Sequence, residues 1–277
     1  MAKSRPIGST GKLAPALNSD TRSPSRKRIL RYVFGIVLTL AATAAAAQDW
    51  RTASREPVGL APDARTTPEA VIQVYGARTL GLKGILGVHT WVAVKPAESL
   101  QWTVYELVGW RLRYSDTAVV ISHRDPDGRW FGSEPELYAD KRGEGVDALI
   151  KKVDKAAREY PYAGEYGLWP GPNSNTFTAW LTRAVPELEV DLPATAIGKD
   201  YLGDKLVGAA PSGSGFQLSL GGLLGLTASG VEGIELNVLG LSFGLGPSGL
   251  KLPFVGRVGP ARAFVSVPAL GTATEQP

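Results

Sequence analysis

The sequence predicts an α+β fold: an antiparallel sheet with packed helices, continued by a glycine-rich β tail. Three observations carry this. Short β-branched and aromatic runs recur between residues 71 and 122, separated by Gly, Pro and charged turns. Two later segments repeat apolar residues at helical spacing. The chain also holds 33 glycines and 20 prolines among 277 residues, a density that long helices do not tolerate.

The elements follow in order. Residues 1–31 carry eight Lys/Arg against Asp20 alone and read as a basic cytoplasmic tail. Tyr32 to Ala47 is an uncharged apolar run of sixteen residues, short for a bilayer span and ample for a signal core. The basic stretch before it sets the orientation by the positive-inside rule. Residues after Gln48 are therefore expected outside the cytoplasm. They form a periplasmic domain on an inner-membrane anchor if the run is retained, or an exported one if it is cleaved after Ala47.

Residues 51–67 lack periodicity and read as an extended lead-in. Strands are expected at Val71 to Tyr75, Val88 to Val94, Trp102 to Trp110 and Thr117 to Ser122. Asp125-Pro126-Asp127-Gly128 then turns the chain back toward Trp130-Phe131. Val146, Leu149, Ile150, Val153 and Ala157 mark one face of a helix that Tyr160-Pro161 ends, because proline cannot continue the hydrogen-bond ladder. A second helix begins after Gly171-Pro172-Asn173-Ser174, with Phe177, Trp180, Leu181 and Ala184 in phase, and Pro186 closes it. Together residues 48–202 make the α+β domain. Residues 203–260 hold fifteen glycines and short alternating stretches, which read as strands and tight turns that need support from elsewhere; residues 261–277 read as a disordered tail.

Charge and composition exclude several functions. Beyond residue 31 the chain carries 22 basic and 25 acidic residues, so its positive charge sits ahead of the apolar run and no nucleic-acid partner is expected. With no cysteine and two histidines, no metal site and no cofactor are expected. No Walker loop or His-Glu-x-x-His pattern occurs, and Gly221 to Gly225 lacks the lysine and helix of a phosphate cradle.

The chemistry-bearing residues converge on two motifs. Ser174 stands at a helix start, where the dipole and unpaired N–H groups favour a nucleophile and its oxyanion. His89 stands at the head of a strand in Gly87-Val88-His89-Thr90-Trp91, and Glu106 on the next strand is a candidate to orient it. His89-Thr90 with Tyr105-Glu106-Leu107-Val108-Gly109, and Asn173-Ser174-Asn175-Thr176-Phe177, resemble the motifs of circularly permuted papain-like (PPPDE-type) peptidases, with Ser174 where that family has cysteine. The wider stretch from Asp49 to Tyr201 resembles an uncharacterised bacterial domain-of-unknown-function family with an N-terminal membrane segment.

The peptidase resemblance implies a permuted papain-like fold and a Ser/His amide or ester hydrolase or acyltransferase: Ser174 as nucleophile, His89 as base and Glu106 as orienter. The alternative is a non-catalytic envelope module that binds a peptide, glycan or lipid in the same cleft, lined by Trp91, Tyr162, Trp169, Asn173 and Asn175. Ser174 as a helix N-cap, His89 as a satisfied core histidine and the tryptophans as core are the plain structural alternatives. A hydrogen-bond-ready approach of His89 to Ser174 favours chemistry; a capped, buried Ser174 favours binding.

Overall fold

The structure, a computed structural model, describes residues 50–259 apart from 82, 83 and 85. The basic tail, the apolar run at 32–47 and the C-terminal tail lie outside the described residues. Among those described, no helix is long and apolar enough to cross a membrane.

Five antiparallel strands form the central sheet: β1 (Val71–Arg78), β2 (Val88–Lys95), β3 (Thr103–Leu107), β4 (Val119–His123) and β5 (Pro135–Arg142), in the order β4-β3-β2-β1-β5. β2 is buried along its whole length because the sheet is covered on both faces. The expected strand from Trp102 to Trp110 stops at Leu107, and Gly109–Arg113 coils into a 3-10 turn instead.

On one face, Ile72, Val74, Val88, Val92, Val94, Tyr105 and Leu107 pack with helices α1 (Val146–Arg158) and α2 (Ser174–Ala184). α1 buries Val146, Ile150, Val153, Ala156 and Ala157, the stripe that the spacing predicts, with Leu149 at its margin. The Trp180 indole donates to the Ala156 carbonyl at 2.8 Å and ties the helices together. On the other face, Val71, Tyr75, Trp91, Ala93, Trp102, Val104 and Trp130 make a second core. The Asp125–Gly128 turn closes over it: Trp91 donates to the Pro126 carbonyl at 2.7 Å, and the Asp127 carboxylate accepts the backbone N–H groups of Leu60 and Ala61 from the lead-in.

The glycine-rich region is a seven-stranded antiparallel sheet of β6 (Val207–Gly208), β7 (Phe216–Leu220), β8 (Leu224–Ser229), β9 (Gly233–Val238), β10 (Leu241–Gly246), β11 (Gly249–Leu252) and β12 (Gly256–Val258), each strand paired with its neighbour in the chain. The architecture is thus α+β and sheet-rich.

The second sheet is inverted. Its buried face is polar, with Gln217, Ser219, Thr227, Glu235, Asn237, Ser242 and Lys251 pointing inward, while Phe216, Leu218, Leu226, Leu236, Phe243 and Leu245 point outward. Most of the inward groups find partners in residues 191–201. The Asp200 carboxylate accepts from Lys199, Gln217, Asn237 and Ser242 at 2.8–2.9 Å. Lys199 also bonds Glu235, and Lys251 joins Glu235 to Asp191. Burial opposes the charge on Lys199 and on Asp200, but each holds the other ionised: the lysine is pushed above and the carboxyl below its ordinary range.

Candidate functional site

α2 begins with a dense set of local bonds. Asn173, not Ser174, is the N-cap: its side-chain oxygen accepts the N–H groups of Asn175 and Thr176 at 2.9 and 3.2 Å, and Thr176 Oγ1 accepts the Asn173 N–H at 3.1 Å, a capping box. The same side chains hold the loop at residues 197–198. Asn173 and Asn175 each donate through Nδ2 to the Ile197 carbonyl, at 3.0 and 2.8 Å, and Thr176 donates to the Gly198 carbonyl at 2.8 Å. Gly198 has φ +98, and a Cβ there would lie 2.4 Å from Asn173 Nδ2, so only glycine admits this approach. The Asn-Ser-Asn-Thr motif is therefore a clamp between α2 and residues 197–198.

Ser174 occupies the first helical position at 4% exposure. It lines a cavity of about 210 Å³ together with Asn173, Asn175, Trp169, Tyr166, Leu168, Leu86, Gly87, Val88 and Ile197. The walls are mostly apolar, and the three residues at the helix start supply its polar end. Trp169-Pro170 and Gly171-Pro172 are cis peptides in the segment that leads into α2. Trp169 reaches across to the second sheet, donating its indole N–H to the Leu239 carbonyl at 3.0 Å.

His89 is elsewhere. Successive strand residues point to opposite faces, and on β2 it is Thr90 that faces α2, donating to Asn175 Oδ1 at 3.0 Å and lying 3.4 Å from the Ser174 carbonyl. His89 consequently points to the tryptophan face. Its ring stacks on Trp130 at a centroid distance of 3.7 Å, and its Nε2 lies 3.0 Å from Glu106 Oε2. Arg124 approaches the other carboxylate oxygen at 3.3 Å. Burial holds the His89 imidazole below its ordinary value of 6.5, against the pull of Glu106. Burial presses the Glu106 carboxyl upward, but the His89 hydrogen bond and the Arg124 charge outweigh it and hold it low. The consistent assignment is a neutral His89 donating its Nε2–H to an ionised Glu106.

The structure thus brings His89 and Glu106 together and places Ser174 across the sheet from both. Of the expected cleft residues it gathers Trp169, Asn173 and Asn175 around Ser174. Trp91 is fully buried on the His89 face, stacked on Tyr75 at 5.8 Å, because an odd-numbered position on β2 cannot reach α2. Tyr162 packs edge-on against Tyr160 and Tyr201 beside the helical core and does not line the cavity.

Sequence reasoning missed a second concavity. Arg55, Trp110, Arg111, Arg124, Arg129 and Trp130 line a pocket of about 430 Å³ above Glu106, with the Arg55 guanidinium 4.0 Å from the Phe131 ring centre. Scattered arginines in different loops leave no local signature. A wider groove of about 830 Å³ between residues 57–65 and 123–127 holds none of the expected site residues. Two glycine motifs carry familiar spacings without the matching structure. Gly240-Leu241-Ser242-Phe243-Gly244 has nucleophile-elbow spacing, and Gly244 to Gly249 has dinucleotide-fingerprint spacing. The first runs from the β9–β10 turn into β10 and the second spans the β10–β11 turn, neither at a strand-to-helix turn, and Ser242 is buried on Asp200. Among the described residues no cluster of three metal-ligating side chains occurs.

No curated protein and no solved structure matches the chain. The stretch from just before β1 to the Asp200 hub does show a likeness: residues 69–201 match the model of a family described as protein of unknown function, DUF3750.

Proposed function

We propose that the chain is a non-catalytic binding module of the cell envelope, held at the inner membrane by residues 32–47, whose cavity beside α2 takes the apolar end of an amphipathic ligand. The observation that carries the reading is the setting of Ser174. It is buried behind a complete capping box, among apolar walls, and the strand residue facing it is Thr90 rather than His89. A serine hydroxyl needs an aligned base to attack a carbonyl. A dry cavity of about 150 Å³ already accepts benzene, so this one has room for an aromatic side chain or the end of an acyl chain, with Asn173, Ser174 and Asn175 beside its polar end.

The permuted papain-like hydrolase is the second reading. It draws on the order of the His89 strand before the Ser174 helix and on the place of Ser174 in the cavity wall. It requires a base at Ser174 that β2 does not present in this arrangement.

A short octanoyl probe bearing a terminal diazirine tests the binding reading on the full chain in vesicles. Photolabelling is expected at Leu86, Leu168 and Trp169 and is lost in Gly87→Leu. Gly87 lines the cavity and its Cβ direction is open, the nearest atom being the Thr195 carbonyl oxygen at 3.5 Å. Labelling spread evenly over the surface, or unchanged by Gly87→Leu, contradicts a ligand in the cavity.

A further inference from the structure

We infer that the outward face of the second sheet is a lipid-docking surface that lies against the bilayer to which residues 32–47 tether the body. The inference rests on that anchoring and adds a second, independent membrane contact. Each central strand sends large apolar side chains outward, among them Leu218, Leu226, Leu236, Phe243, Leu245 and Leu250, and several are more than half exposed, Leu245 reaching 68%. Seven strands about 4.8 Å apart, with five or so residues each, give a face of on the order of 500 Å² in flat projection. That is the size of the largest apolar patch on a soluble monomer, which is commonly an interaction site.

The charges point the same way. Between Phe216 and Leu252 the charged residues are Glu232, Glu235 and Lys251, and all three are turned inward at 2% exposure or less. A strand sequence of this period could have placed them outward at no geometric cost. Instead the polar set faces protein and the apolar set faces away from it, which is the ordering of a lipid-facing sheet.

The turns repeat the pattern. In an antiparallel meander alternate turns share one end. At one end lie Gly221-Gly222-Leu223, Leu239-Gly240 and Pro253-Phe254-Val255, none with a polar side chain; at the other, Ser229 to Glu232 and Pro247-Ser248 do carry them. Leu239 and Phe254 are exposed and hold φ of +54 and +65, a region that favours Gly, Asn or Asp in water-facing turns. Exposed Trp169 meets the sheet at this apolar end, as aromatic rings do at a membrane interface.

A protein partner fits less well. The cores of protein interfaces are enriched in Tyr, Trp, Phe, Met and Arg, and of these the outward strand positions hold Phe216 and Phe243 alone among a field of Leu, Ile and Val. The chain outside the described region also favours lipid: it carries a net charge of +7 in residues 1–31 and then sixteen uncharged residues ending at Ala47, three before Trp50, so the body begins within a few residues of an apolar segment.

The chain has no cysteine, so single thiols report cleanly. The full chain, with a protease site introduced between Gln48 and Trp50, is reconstituted in vesicles of phosphatidylethanolamine and phosphatidylglycerol. Leu236→Cys and Leu245→Cys carry an environment-sensitive fluorophore, with Lys155→Cys on the exposed side of α1 as reference. The expected result is that the two sheet probes are quenched by spin-labelled lipid and shielded from iodide, while position 155 shows the reverse. After cleavage the body stays on the vesicles, and Leu236→Asn with Leu245→Asn lowers that retention about tenfold or more. Iodide access at 236 and 245 equal to that at 155, or release of the cut body while residues 1–48 stay bound, overturns the inference and leaves the anchor intact. Release of residues 1–48 with the body retained removes the anchor and leaves the inference standing. Shielding from both quenchers with cross-linked pairs of chains assigns the face to a second copy and also overturns it.

Discussion

At the scale of single residues, the decisive fact is one of parity on β2. Thr90 meets the start of α2, so His89 must lie on the other face, where it stacks on Trp130 and bonds Glu106. The folded state favours neutral His89, with a pKa below its ordinary 6.5. Below that value the unfolded chain binds more protons than the folded one, so stability falls as pH drops from about 7 toward 5. Glu106, held low, adds its own loss only below about its ordinary 4.5. Denaturant unfolding at pH 7 and pH 5 should show a loss that His89→Gln largely removes; an equal loss in both proteins would mean that His89 does not titrate as described. The pairing of His89 with Glu106 was legible in the sequence, two polar residues on neighbouring strands. The facing of His89 was not, because β2 is buried on both sides and Val-His-Thr-Trp-Val-Ala-Val shows no alternation from which to read a face. Asn173 as the cap was hidden for a related reason: Asn and Ser both cap well, and Asn173 and Ser174 are adjacent.

At the scale of elements, apolar spacing located both helices and four strands of the central sheet. It passed over β5, Pro-Glu-Leu-Tyr-Ala-Asp-Lys-Arg, which opens with proline and carries four charges. Such a strand is admissible because it sits at a sheet edge with Pro at its first position. In the second sheet the alternation was plain, but alternation does not say which set of side chains faces inward. That is decided by residues 191–201, whose Asp191, Lys199 and Asp200 supply partners that a sequence reader cannot place beside Glu235 and Lys251. Removing Lys251 leaves Glu235 with Lys199 and Asp191 with Arg257 and Ser248, so the buried network is one positive charge short. Lys251→Met, which frees Asp191 and Glu235 of a shared partner, should destabilise the protein by about 3–5 kcal/mol. Urea denaturation measures this, and a loss under 1 kcal/mol would mean that the second sheet is held by something other than this network.

At the scale of the whole molecule, the central sheet is a partition. One side carries the helices, the Ser174 cavity and, through Trp169, the apolar end of the second sheet; the other carries His89, Glu106 and the arginine-lined pocket. The proposed binding on the first side is then independent of the buried pair on the second, whereas a hydrolase would couple them. Ser174→Cys introduces the chain's one thiol at the first turn of α2, and its rate of alkylation at pH 6 reports whether a base assists it. The expected result is a rate that is unchanged when His89→Ala is added. A thiol that reacts far faster than a free cysteine of pKa about 8.5, and loses that advantage with His89→Ala, would place the histidine at Ser174 and contradict the separation of the two sites.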